Sequence, residues 1–223
     1  MSARRPLRLA ILISGRGSNM VAIVRACLEG RIAARPVAVI ADRADAAGLA
    51  SGRKLGVESL TVSGAQVRDS VGFERSLQTT LKEREVEFIA LAGFMRILSA
   101  AFVAEYLGRM FNVHPALLPA YRGLHTHRRV LAAHDTVHGA SVHFVTADLD
   151  SGPVVLQSKV AVEPDDTEAT LEARVLATEH IIYPRVLGWY AERRLRWREG
   201  IVWFDGAPLR APMVEDFRAR TQS

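Results

Sequence analysis

The chain has little cysteine and no long apolar runs, and each shortage narrows what it can be. Cys27 is the single cysteine in 223 residues. A lone thiol excludes an internal disulfide and a cysteine-based metal site. It also fits a reducing compartment, so the expected location is the cytoplasm. No apolar run reaches the ~20 residues that cross a bilayer, and no membrane partner is expected. A secretory signal is not expected either. Arg4, Arg5 and Arg8 precede only a short apolar run, without a small-residue cleavage site, and residues 10–13 pass straight into a glycine-rich loop. Internal repeats and linker-like stretches are also missing, which predicts one domain over residues 1–223.

Hydrophobic residues, by contrast, make up 49% of the chain, enough for a substantial core. The formal net charge is +5 and the isoelectric point about 9.9. Arginines are dispersed except at 193–198. That dispersal favours a basic soluble surface over a nucleic-acid site, and its positive field would attract phosphorylated and polyanionic small molecules.

Residues 7–13 form a continuous apolar run of the kind found in buried parallel strands. A Gly-rich turn follows, then a helix with apolar residues at Met20, Ile23, Val24, Cys27 and Leu28. Further strands are expected at 36–40, 57–62, 88–92 and 109–113. Helices are expected at 42–56, 71–84, from Ser99 to 106, and at 128–134, with a loop at 63–69. Strands at 137–146 and 154–162 should pair antiparallel. A long helix capped by Thr167 or Asp166 should run to about 190, bent or broken at Pro184. A strand or hairpin should form around Asp205-Gly206, and 212–223 should fray. The β-α-β-α-β-α-β order predicts a mostly parallel α/β sheet with helices on both faces and an antiparallel C-terminal extension. Ligands of such sheets bind outside the carboxyl ends of the strands. Residues 14–19, 93–98 and 112–114 all fall at such ends, in one cleft.

Asn112 and His114 stand two apart, so in extended backbone they point to one side. Pro115 biases His114 towards that conformation. An amide N–H and an imidazolium N–H aimed at one point would stabilise a developing oxyanion; a plain polar turn has the same spacing. Asp150 lies between two strand-like runs, and a carboxylate near His114 would favour its charged form. The Gly15-Arg16-Gly17 turn before a helix offers free N–H groups to a phosphate. It lacks the third glycine of the dinucleotide fingerprint and the lysine of a P-loop, so a plain turn stays open. His125 and His127 alternate as strand-borne metal ligands could, but no cysteine or carboxylate completes a site nearby, and no metal is expected. His143, between apolar neighbours, reads as a hydrogen-bonded core imidazole.

Six motifs in order carry a resemblance: Ser14-Gly15-Arg16-Gly17-Ser18-Asn19, Leu91-Ala92-Gly93-Phe94-Met95-Arg96-Ile97-Leu98, Asn112-Val113-His114-Pro115 with Leu117-Leu118-Pro119, Gly123-Leu124-His125-Thr126-His127, Gly139-Ala140-Ser141-Val142-His143-Phe144-Val145, and Leu149-Asp150-Ser151-Gly152-Pro153. The chain resembles the phosphoribosylglycinamide formyltransferases, folate-dependent enzymes of purine synthesis, loosely from about Leu9 to Asp205. The resemblance implies a Rossmann-like formyltransferase fold with a phosphate-binding half over about 1–100 and a catalytic, folate-binding half over about 101–205. It implies formyl transfer from 10-formyltetrahydrofolate to glycinamide ribonucleotide, by a monomer or weak homodimer without metal or nucleic acid. It assigns catalysis to Asn112, His114 and Asp150. Gly17, Ser18 and Asn19 would hold the ribonucleotide phosphate, and Glu179 the glycyl arm. Met95, Arg96, Ile97, Leu98 and Asn112 would meet the folate. One position departs: Ser70 stands where related sequences often carry an arginine, with Arg68 two residues earlier, which leaves the folate-tail contact open. A deformylase would be expected to carry an N-terminal regulatory domain and a methionyl-tRNA formyltransferase a C-terminal tRNA-binding one. The expectation is that neither domain is present, which disfavours both alternatives, and the joint presence of Asn112, His114 and Asp150 disfavours a non-catalytic nucleotide-binding module.

Overall fold

The computed structural model describes residues 5–62 and 70–218. In chain order the elements are β1 (Leu7–Ile13), α1 (Ser18–Leu28), β2 (Ala34–Ala41), α2 (Ala47–Lys54), β3 (Ser59–Thr61), α3 (Ser70–Glu83), β4 (Phe88–Leu91), α4 (Ala100–Glu105), β5 (Met110–His114), α5 (Thr126–Ala132), β6 (Val137–Phe144), β7 (Val154–Ala161), α6 (Glu168–Ala191), β8 (Leu195–Arg198), β9 (Ile201–Phe204), β10 (Ala207–Pro208) and β11 (Met213–Asp216). Eight strands form one sheet in the order β11-β7-β6-β5-β4-β1-β2-β3, and β8 to β10 form a small separate sheet. β6 is antiparallel to both its neighbours, β5 and β7. The other neighbouring pairs of the eight-stranded sheet are parallel, and the pairs of the small sheet are antiparallel. The carboxyl ends of β1, β4 and β5 therefore open at one edge.

The period of two in a strand builds two cores from one sheet. Leu9, Ile11 and Ile13 of β1 pack with Met20, Val24, Tyr183 and Val186 on one face. Ala10 and Leu12 pack with Ile40, Phe73, Leu77 and Phe102 on the other. All five β1 residues are fully buried, which is why this strand carries no polar alternation. Each buried large aliphatic side chain contributes roughly 1.5–3 kcal/mol.

Helix α6 runs unbroken through Pro184, so the proline does not mark the expected break. The proline removes one backbone donor and costs about 3 kcal/mol. Ile182, Tyr183, Val186 and Leu187 are buried around it, and the Tyr183 hydroxyl is shared between the carbonyls of Leu91 and Phe111, each at 3.0 Å. These contacts pin the helix to β4 and β5 and offset the lost bond. Thr167 is its N-cap and accepts from the Thr170 N–H.

Three other expectations are corrected. Helix α2 begins at Ala47, not at 42. Arg43 instead grips Asp45, and Gly48 N–H donates to the Gly15 carbonyl at 3.0 Å, drawing this turn onto the β1–α1 loop. His125 and His127 do not alternate on a strand: His125 is the left-handed N-cap of α5 and His127 lies inside that helix. The segment from 212 does not fray throughout. Met213–Asp216 adds β11 to the edge of β7, with Met213 and Phe217 packed against the core and Glu215 paired with Arg185. The expected loop at 63–69, with Arg68, lies outside the described residues.

Candidate active site

The end of β5 separates two clefts. Val113 and Pro115 line one, of about 420 Å³, with the β1–α1 loop and α6. Asn112 lines the other, of about 90 Å³, with residues 146–150. Strand alternation thus sends neighbouring residues of one strand to different clefts.

On the smaller cleft's side, polar groups converge. His114 Nδ1 lies 3.3 Å from Asp150 Oδ2, and its Nε2 is 2.9 Å from the Tyr121 carbonyl. Both ring nitrogens thus face oxygen atoms of the fold. Asp150 sits in a tight turn with φ 48°. A second donor, the Gly123 N–H at 3.0 Å, holds the same carboxylate oxygen. Both His114 and Asp150 are buried, so little solvent screens the pair.

Asn112 is oriented by His143, directly opposite it in the antiparallel β5–β6 register. His143 Nδ1 donates to the Phe144 carbonyl at 2.9 Å. Burial lowers the His143 pKa to about 4, so the ring is neutral and Nε2 carries a lone pair. That lone pair accepts from Asn112 Nδ2 at 3.2 Å. The bond fixes which end of the amide is the donor and leaves the second N–H of Nδ2 for another acceptor. His143, the Tyr121 carbonyl and the Gly123 N–H were not legible as site groups in the sequence. Only the register of β5 against β6 would have pointed to His143.

In the larger cleft Gly17, with φ 72°, turns the chain into α1 without a side-chain cap. The first-turn N–H groups and the helix dipole face that space. Asn19 does not point freely into it: its Nδ2 donates to Glu179 Oε2 at 2.6 Å. Glu179 is buried, and that burial pushes its pKa up to about 7 against the Asn19 bond, which lowers it. Met95 lines this cleft and its N–H donates to Ser14 Oγ at 2.9 Å. Arg96, Ile97 and Leu98 line the smaller cleft with Phe94. Arg96 stacks over the Phe73 ring at 4.2 Å, while Ile97 is 78% exposed. Ser70 opens α3. His127 and His138 bond to each other, ring to ring, at 3.0 Å, and no group of three or more possible metal ligands occurs among the described residues.

A family model described as "Formyl transferase" matches residues 7–187. Phosphoribosylglycinamide formyltransferase of Escherichia coli strain K12 is 45% identical over 203 residues, covering 91% of this chain and 96% of that one. The solved structure of phosphoribosylglycinamide formyltransferase from Coxiella burnetii, in complex with CHES, superposes with a TM-score of 0.88 at 45% identity, covering 93% of this chain and 99% of that chain. Glycinamide ribonucleotide transformylase 1 from Symbiobacterium toebii does so with a TM-score of 0.86 at 40% identity, covering 91% and 95%. With a family model spanning most of its length and relatives matched nearly end to end, the chain belongs to the phosphoribosylglycinamide formyltransferases, within the formyl transferase family.

Proposed function

We propose that the protein transfers a formyl group from 10-formyltetrahydrofolate to the amine of glycinamide ribonucleotide, a step of purine synthesis. The observation that carries the reading is the end of β5. There Asn112 lines one cleft and its neighbours Val113 and Pro115 the other, with Asp150 against His114 on the side of Asn112. The larger cleft takes the ribonucleotide, its phosphate on the N–H groups of Gly17, Ser18 and Asn19 and its glycyl arm towards Glu179. The smaller takes the folate ring system against Arg96, Ile97 and Leu98, with Met95 as the hinge of the two spaces.

The substrate amine is the nucleophile, so no side chain forms a covalent intermediate. The amine nitrogen attacks the formyl carbon, and the carbonyl oxygen becomes an oxyanion. The free N–H of Asn112 and an N–H of the His114 imidazolium stabilise that charge. For His114 this means giving up the Tyr121 carbonyl that now occupies Nε2. Asp150 holds the His114 ring in place through Nδ1 and orders the water that carries a proton from the amine to the departing folate nitrogen. The oxyanion then collapses, breaking the bond to the folate. Each oxyanion donor supplies on the order of 3 kcal/mol.

The acceptor assay tests this directly. Tetrahydrofolate release should require glycinamide ribonucleotide and yield its formylated product. Release at the same rate with water alone would make the enzyme a deformylase, and formylation of charged tRNA would make it a tRNA formyltransferase.

A further inference from the structure

We infer that Arg16 is a phosphate-discriminating residue, held in reserve over the larger cleft by Glu172. This rests on the reading that the cleft takes the phosphate of the ribonucleotide. Two cationic side chains, Arg16 and Arg43, line that cleft, against the three carboxyl groups of Asp42, Glu172 and Glu179. The wall by itself therefore does not attract a phosphate dianion, and a cation has to be turned towards it.

The two arginines differ in how firmly they are held. Arg43 is engaged through two nitrogens with both oxygens of Asp45, at 2.5 and 2.6 Å. Arg16 makes a single contact, Nη2 to Glu172 Oε1 at 3.0 Å, and the two side chains are 78% and 48% exposed. A one-point exposed ion pair contributes little and is easily given up, whereas a guanidinium on phosphate forms short charge-assisted bonds. Arg16 also stands next to Gly17, where the chain turns into α1. Glu172 lies about two turns from Glu179 on the same face of α6, and Glu179 already holds Asn19. The outer pair Arg16–Glu172 and the inner pair Asn19–Glu179 thus bridge α6 to the β1–α1 turn and to the first turn of α1. Phosphate entering between them meets the N–H groups of α1 below and the Arg16 guanidinium above, while Glu172 competes for that guanidinium.

The competition gives opposite signs to two substitutions at one ion pair. Arg16→Ala should weaken ribonucleotide binding by roughly tenfold, the loss of one charge-assisted contact. Glu172→Gln keeps the side chain's size but releases Arg16 and removes a repelling charge, so it should tighten binding by a few-fold. Neither should change the binding of glycinamide riboside, the same molecule without phosphate. Calorimetry of both ligands on the wild type and the two variants reads all of this. If Arg16→Ala leaves ribonucleotide affinity unchanged, or if both variants weaken riboside and ribonucleotide alike, the pair is only a latch between loop and helix and the inference is overturned. If the wild type itself binds riboside and ribonucleotide equally, the phosphate reading of the cleft fails first.

Discussion

Glu179 provides a quantitative test because its environment is fully visible. It is 5% exposed, and its partner is a neutral amide, Asn19 Nδ2, at 2.6 Å. Burial carries its pKa from an ordinary 4.5 to about 7. At 1.36 kcal/mol per pH unit, that rise corresponds to about 3 kcal/mol. The sign follows from linkage: the folded state holds the proton more tightly than the unfolded one. Folding therefore pays no penalty below about pH 4.5, loses stability as the pH rises to about 7, and levels off above it. Glu179→Gln removes the titration while its carbonyl still accepts from Asn19. Urea unfolding of both proteins from pH 4 to pH 8 isolates the effect as a difference. Relative to wild type, the variant should gain about 3 kcal/mol between the two ends, to within a factor of two. A difference that stays flat across this window would show that Glu179 is ionised as easily in the fold as outside it, and the description of the larger cleft's floor would be wrong. The same variant should bind the ribonucleotide more weakly, since it cannot offer a carboxylate to the glycyl arm.

Asp150→Asn removes the charge facing His114 at nearly constant size; turnover should fall at least about tenfold with both ligands still bound, and unchanged turnover would separate the carboxylate from the chemistry. Asn19→Ala should weaken ribonucleotide binding more than folate binding by calorimetry, and an equal loss for both would place the phosphate elsewhere. Gly152→Ala tests the frame behind Asp150: a Cβ there would lie 1.8 Å from the Phe144 carbonyl oxygen, so the 149–152 turn must move. Turnover should drop sharply while thermal unfolding stays cooperative; full activity would mean that the turn's position is not critical.

Much of this architecture was legible because local pattern and tertiary role coincide. β1 is buried on both faces, so its apolar run has one interpretation. Pro115 and the two-residue spacing mark Asn112 and His114 as an extended pair at a strand end. What escaped depends on partners far along the chain. The start of α2 is set by Gly48 meeting the Gly15 carbonyl, a contact that no propensity encodes. β11 exists because β7 offers an open edge, and its Glu215 looks like a tail residue until Arg185 is placed beside it. His143 reads as core in the sequence and is buried indeed; its bond to Asn112 follows only from strand register. Pro184 signals a break locally, and α6 continues because the surrounding core packing outweighs one missing bond.

The most direct test of the catalytic account is the single-turnover rate of formyl transfer in Asn112→Ala at saturating ribonucleotide and formyl donor. Asn112 holds one N–H against His143 and has its second available for the oxyanion alone, so its removal should spare ligand binding and act on the transition state. The predicted result is a rate lowered on the order of a hundredfold or more, with ribonucleotide affinity near that of the wild type. A rate within a few-fold of wild type would contradict the oxyanion role at the end of β5, and with it the mechanism built there.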